Sequence, residues 1–129
     1  MYNLTYKSGL LYADIFISHN GKVILVPEVI IDTGACQSII LSEYLFDLGI
    51  GFQDEDEIVV LSGIGGAEAS AVRKKIEKIS IGKIEINDID IDFGTIDTKD
   101  RINGLIGMDF LKKSKSIINI NKGTLSKDI

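Results

Sequence analysis

A mainly all-β fold with one or two short helices is predicted by three observations. The apolar residues, 45% of the 129, lean on Ile, whose branched side chain suits a pleated, half-buried surface. Asn20-Gly21 and Asn121-Lys122-Gly123 each separate two apolar runs, as hairpin turns do. Ile84-Glu85-Ile86 and Ile89-Asp90-Ile91-Asp92-Phe93 alternate, with Ile on one face and acid on the other.

The elements follow in order. Leu10 to Ser18 has the apolar character of a buried strand, and Lys22 to Val26 returns from the turn. Pro27-Glu28 interrupts, as the only proline suits a strand edge or bend. Val29-Ile30-Ile31 then runs into Asp32-Thr33-Gly34. Ser38 to Leu41 is a short strand, and Ser42 is placed to cap a helix, Glu43 to Leu48, that stops at Gly49. Asp54-Glu55-Asp56-Glu57 reads as a solvated loop or strand entry. Ile58 to Leu61 is a strand, and Ser62-Gly63-Ile64-Gly65-Gly66 is a turn or tip. Residues 67–79 fit a helix or a long strand by pattern, and local propensity leans towards helix through Ala, Lys and Glu. A polar loop, Asp97 to Asn103, precedes Gly104-Leu105-Ile106-Gly107. Met108 to Lys113 makes one or two helical turns, and Ser116 to Ile120 pairs with Thr124-Leu125 in a last hairpin. With no linker or low-complexity stretch, one domain over 1–129 is expected.

Composition excludes several functions. A net charge of −5 argues against a nucleic-acid partner and against a membrane surface, since phosphates need a basic face. No apolar run reaches 18 residues, and Met1-Tyr2-Asn3-Leu4 lacks the form of a signal peptide. Cys36 stands alone, so no internal disulfide forms, and a reducing, cytoplasmic setting is expected. His19 and Cys36 together cannot make a zinc set, and a Ser-His-Asp triad would need that same His19, which is expected to be exposed in its turn. Asp88, Asp90 and Asp92 begin like a calcium loop, but Phe93 stands where Gly is needed and Lys99 where the closing Glu belongs. An exposed strand face is the expectation there. No metal and no cofactor are expected. Cys36 is expected to be a buried, inert thiol.

Asp32-Thr33-Gly34 carries the chemistry. An apolar strand, Val29-Ile30-Ile31, delivers the carboxylate, and the small residues Ala35 and Cys36 follow it. Gly34 permits a tight turn, and Thr33 offers a hydroxyl beside the acid. Some seventy residues downstream, Gly104-Leu105-Ile106-Gly107 sets two apolar residues before a glycine. In Ile30-Ile31-Asp32-Thr33-Gly34-Ala35, Ser38-Ile39-Ile40, the glycine-rich tip 62–66 and Leu105-Ile106-Gly107, the sequence resembles the retropepsin-like aspartic peptidases.

The resemblance implies a retropepsin-like acid-protease barrel with a flap hairpin. Asp32 would be the catalytic acid, Thr33 would bond across a dimer, and Gly34 would bring backbone amides near the carboxylates. Ala35 and the flap tip, Ser62, Gly63, Ile64, Gly65 and Gly66, would bind substrate. Residues 67–79 would be the returning flap strand. Leu105-Ile106-Gly107 would pack beneath the catalytic loop. Retroviral members usually carry Arg shortly after the downstream glycine and interlace their chain ends; this chain has Met108 and Asp109, and Asp128-Ile129 shows no such feature.

Peptide hydrolysis by water needs one group to take a proton and another to give one. A single Asp cannot do both at once. With one Asp-Thr-Gly and no internal repeat, a two-fold axis must bring Asp32 against its copy. Ala35 lacks a hydroxyl to aim at the pair, so a mildly acidic optimum is expected. The expected function is that of a homodimeric aspartic endopeptidase acting on peptide or protein substrates. Two alternatives stand beside it: the same fold as a non-catalytic dimerisation or peptide-binding module, and a nucleotide-binding domain using the 63–66 glycine turn, which requires a helix over 67–79.

Overall fold

The computed structural model describes residues 1–62, 68–96 and 102–129. Eleven strands and two helices are described there. They are β1 (Tyr2–Asn3), β2 (Thr5–Lys7), β3 (Leu10–His19), β4 (Lys22–Ile31), β5 (Ile39–Leu41), α1 (Glu43–Asp47), β6 (Glu57–Ser62) and β7 (Glu68–Ile81). After them come β8 (Ile84–Gly94), β9 (Gly104–Ile106), α2 (Met108–Lys113), β10 (Ser116–Asn119) and β11 (Thr124–Lys127).

Eight strands form one sheet in the order β2-β3-β4-β9-β5-β8-β7-β6, and β3 also pairs with β7. That extra pairing closes the six strands from β3 to β7 into a barrel, which removes their free edges. The expected all-β barrel with two short helices is therefore present. β6 hangs from β7 on the outside of this ring. A separate three-stranded sheet, β1-β11-β10, joins the two ends of the chain.

Branched apolar residues fill the barrel. Ile15, Ile17, Val26, Ile76, Ile79 and Ile91 are all fully buried. Ile17 is opposite Ile24 on one side and Ile79 on the other. Helix α1 contributes Leu45 to this core, and α2 contributes Phe110 and Leu111.

The first hairpin turns at Asn20 (φ 51) and Gly21 (φ 78), the two positive values that a two-residue hairpin turn needs. Pro27-Glu28 does not split β4. The register jumps between Ala13 opposite Val29 and Ile15 opposite Val26. Glu28 takes φ 51, and its N–H donates to Asp14 Oδ1 at 2.9 Å. The predicted interruption is thus a bulge, placed where proline's missing N–H does no harm.

Residues 68–81 are strand, against their local propensity. The charges that favoured helix are used across strands instead: Lys75 with Asp90 at 3.7 Å, Lys78 with Glu85 at 3.9 Å, and Lys74 with Asp56 at 2.6 Å. A nucleotide-binding turn at 63–66 would need a helix here, so that alternative falls.

Four local expectations are corrected. Ser42 makes no side-chain cap; it is already helical at φ −60, and its carbonyl accepts from Leu45. His19 is half-buried, with Nδ1 accepting from the Glu77 amide at 3.3 Å. Cys36 is exposed, because it lies in the loop ahead of β5 and not on a core-facing strand position. Asp92 is fully buried, because at this end of β8 the neighbouring strands and Arg73 cover the face that carries Asp88 and Asp90 into solvent.

Replacing Ile17 with Ala removes a side chain from the middle of the closed ring. A loss of about 2–5 kcal/mol is expected, read as a lower urea midpoint. Val23→Thr on the exposed face of the same hairpin is expected to change stability by less than about 0.5 kcal/mol.

Candidate active site

The Asp32 turn grows out of the parallel junction between β4 and β9, one of the two parallel pairings in the barrel. Ile30 lies opposite Leu105 and Ile31 opposite Ile106. The Asp32 N–H donates to Ile106 O at 2.9 Å, which carries the ladder one residue beyond the strand. The pleat therefore continues through Asp32, and its side chain lies on the same face as that of Ile30.

Residues 32–35 then turn tightly. The Gly34 amide donates to Asp32 Oδ1 at 2.9 Å, and the Ala35 amide to Asp32 O at 3.2 Å. A Cβ on Gly34 would stand 3.2 Å from the carboxylate oxygen, so a side chain there would crowd the acid. Asp32 is half-buried, while Thr33 and Gly34 are exposed. Among the described residues the Gly34 amide is the only hydrogen-bond partner of the carboxylate.

The far side of the turn is held by β9 and α2. The Met108 amide donates to Ala35 O at 2.8 Å. Gly107 is required by this approach: a Cβ on it would be 2.6 Å from Ala35 O. Ser38 is fully buried, and its amide and hydroxyl take part in three bonds. Its amide and hydroxyl donate to the two Asp109 carboxylate oxygens at 2.9 and 2.7 Å, and its Oγ accepts from the Gly107 amide at 3.0 Å. Both Asp109 oxygens are thus used in fixing the loop that follows Asp32.

Asp32, Thr33, Gly34 and Ala35 are brought together in one turn, with Leu105-Ile106-Gly107 alongside as the sequence implied. Ser62 ends β6, paired opposite Glu68. Gly63, Ile64, Gly65 and Gly66 lie outside the described residues. Sequence reasoning missed the bond between Ser38 and Asp109. It met Asp109 only as a departure from an expected Arg. An acid in the first turn of a predicted helix, next to an obligatory glycine, was the available signal.

A cavity of about 590 Å³ opens beside the turn, between Thr33, Met108 and Leu111 on one side and Ile117, Ile118 and Asp128 on the other. No three His, Cys, Asp or Glu side chains gather as metal ligands among the described residues. No helix among them is long and apolar enough to cross a membrane.

Two solved structures share this architecture. One is a retropepsin-like aspartic protease from Rickettsia conorii, 24% identical, covering 88% of this chain and 88% of that one with a TM-score of 0.62. The other is the retroviral protease-like domain of Ddi1 from Leishmania major, 20% identical, covering 95% of this chain and 90% of that one, also at 0.62. At these identities the likeness is one of fold. No curated protein sequence matches the chain. The profile of the aspartyl protease family matches residues 16–110, more than half of the sequence, and the chain belongs to that family, with a retropepsin-like fold.

Proposed function

We propose that this protein is an aspartic endopeptidase whose active site is completed by a second copy of the chain. The observation that carries this is Asp32 itself: an acid delivered by a buried strand into an exposed turn, oriented by one backbone amide, with its other oxygen unbonded among the described residues.

Water between two such carboxylates loses a proton to one of them as its oxygen attacks the peptide carbonyl. The second carboxylate, protonated, gives its proton towards the carbonyl oxygen. Collapse of the tetrahedral intermediate breaks the C–N bond, and the leaving nitrogen takes up a proton from the pair. The products are one carboxylic acid and one amine. Two carboxylates this close share a single proton, so both extremes of protonation are inactive. Thr33, Gly34 and Ala35 shape the turn, and an extended peptide lies across the same face; Ser62, Gly63, Ile64, Gly65 and Gly66 are the residues proposed to bind it further.

The surface beside Thr33 suits a self-complementary contact. β10 is an edge strand with one side open, and Met108 and Ile117 are 40% and 47% exposed. Lys112 and Lys115 line the same cavity as Asp128. Under a two-fold axis each patch meets its own copy, so lysines of one subunit face the aspartate of the other. β1 pairs with β11 within the same chain, which leaves β10 at the edge of that sheet. A dimer joined through β10 is the arrangement proposed.

Three outcomes test this. Asp32→Asn is expected to lower kcat on a peptide library by at least about 10³-fold while leaving the thermal midpoint in place; unchanged turnover would end the proposal, and a native protein that cleaves nothing would leave a non-catalytic peptide-binding module. Mixing equal amounts of native and Asp32→Asn subunits is expected to halve activity per native subunit, to about 50% by random pairing. A site complete within one chain would show no such fall. Asp109→Ala strands the buried Ser38 hydroxyl and should cost about 1–3 kcal/mol in chemical denaturation, with the larger loss in kcat as the Asp32 turn loosens.

A further inference from the structure

We propose that Arg73 and Asp92 are positioning residues: their ion pair clasps the β6–β7 ribbon at its root and sets where that ribbon stands over the face bearing Asp32. This rests on the peptidase function proposed above.

Asp92 is the one charged residue fully buried among those described. A carboxylate removed from water in this way must be compensated. Arg73 does so with both prongs of its guanidinium, Nε to Oδ1 at 2.7 Å and Nη2 to Oδ2 at 3.1 Å. The bond to Asp92 holds the guanidinium above its ordinary pKa, with burial opposing it. Glu57 lies 4.0 Å from the remaining nitrogen. A buried pair of this kind adds little stability compared with apolar residues of the same size. What it adds is a fixed geometry, because the fork admits one orientation.

The position of the pair gives that geometry a use. β7 is flanked by β8 only as far as Ala71, which lies opposite Gly94. Beyond Ala71 it pairs, among the described residues, with β6 alone, from Ser70 opposite Val60 to Glu68 opposite Ser62. Arg73 therefore sits where a two-stranded ribbon leaves the barrel. Its partner Asp92 belongs to the barrel and is tied to the candidate site. The Asp92 amide donates to Ser38 O at 3.2 Å, and Ser38 holds Asp109 and Gly107. One chain of bonds thus runs from the ribbon root to the loop after Asp32.

Register also puts the pair on the right side. Ile30 is opposite Leu105, Leu105 opposite Ile39, Ile39 opposite Asp92, Asp92 opposite Arg73, and Arg73 opposite Glu57. Residues paired across strands share a face, so this row runs unbroken from the neighbour of Asp32 to the ribbon. Arg73 and Asp92 do not touch the reacting atoms. They act through the ribbon.

The test uses the full-length protein. Arg73→Met alone leaves Asp92 buried without a partner and risks unfolding, so the key variant is Arg73→Met/Asp92→Leu, which keeps the row packed and removes the fork. Amide exchange needs no activity: the β6–β7 cross-strand amides are expected to exchange at least about tenfold faster in the double variant, with Ile15 and Val26 unchanged. Equal exchange in both proteins would overturn the clasp, whether or not the protein cleaves peptides. In cleavage assays the double variant is expected to raise KM at least about fivefold with kcat within about twofold. A proportional fall in active protein with KM unchanged would reduce the pair to a structural role. If native protein cleaves nothing, the peptidase proposal fails while the exchange result still decides the clasp.

Discussion

The loop that follows Asp32 is anchored at one buried residue, Ser38. Ser38 joins β5, the β9–α2 junction and the candidate site, because its side chain and amide bond Asp109 while its oxygen receives the Gly107 amide. Each contact constrains another. Gly107 must lack a side chain so that Ala35 can approach, and that approach lets Met108 close the turn from below. Asp109 takes two bonds at once, one on each carboxylate oxygen, so both are spent on Ser38. The Asp32 carboxylate itself needs only one backbone partner, because the backbone around it is already fixed.

Much of this was visible in the residue order. The Asn20-Gly21 hairpin, the Asp32-Thr33-Gly34 turn after an apolar run, and the short helix after Gly107 each carry a local signature. What could not be read locally depends on distant chain segments. Ser38 and Asp109 are 71 residues apart, and neither announces the other. Residues 68–81 have helical propensity, yet their charges are satisfied by β6 and β8, and cross-strand pairing outweighs a preference worth tenths of a kcal/mol per residue. Asp92 shares its alternation with Asp88 and Asp90. Only the covering of both faces at the end of β8 separates it from them. The same double covering explains why Val29, Ile30 and Ile31 are buried in succession. Cys36 was expected inside on the habits of cysteine, and a loop position placed it outside.

The ion pairs between β7 and β8 fall into two groups with different physics. Lys75–Asp90 and Lys78–Glu85 lie on the open face of the β7–β8 pair, at 3.7 and 3.9 Å. Exposed pairs of this kind are worth about 0–1 kcal/mol, and here they mark which side of the sheet meets water. Arg73–Asp92 is shorter, bidentate and buried on the carboxylate side. It cannot be exchanged for a surface pair, because Asp92 without Arg73 is an uncompensated charge. The sheet thus changes character along one strand: near the hairpin end its charges are replaceable, and near the ribbon they are structural.

A site assembled from two copies makes activity depend on concentration in a way a single-chain site does not. Pairing two subunits costs about 4–15 kcal/mol in lost translational and rotational freedom. The contact beside Thr33 must offset this with the apolar surface of Met108 and Ile117, the open edge of β10, and the lysines opposite Asp128. The barrel does not need that contact, since its ring is closed within one chain and its core is already filled. Folding and completion of the site are therefore separable steps on this proposal. Below the dissociation constant the chain would be a folded monomer holding one oriented carboxylate, and the proton relay would have no second member. Anything that occupies both halves of the cleft, substrate included, then stabilises the pair by mass action.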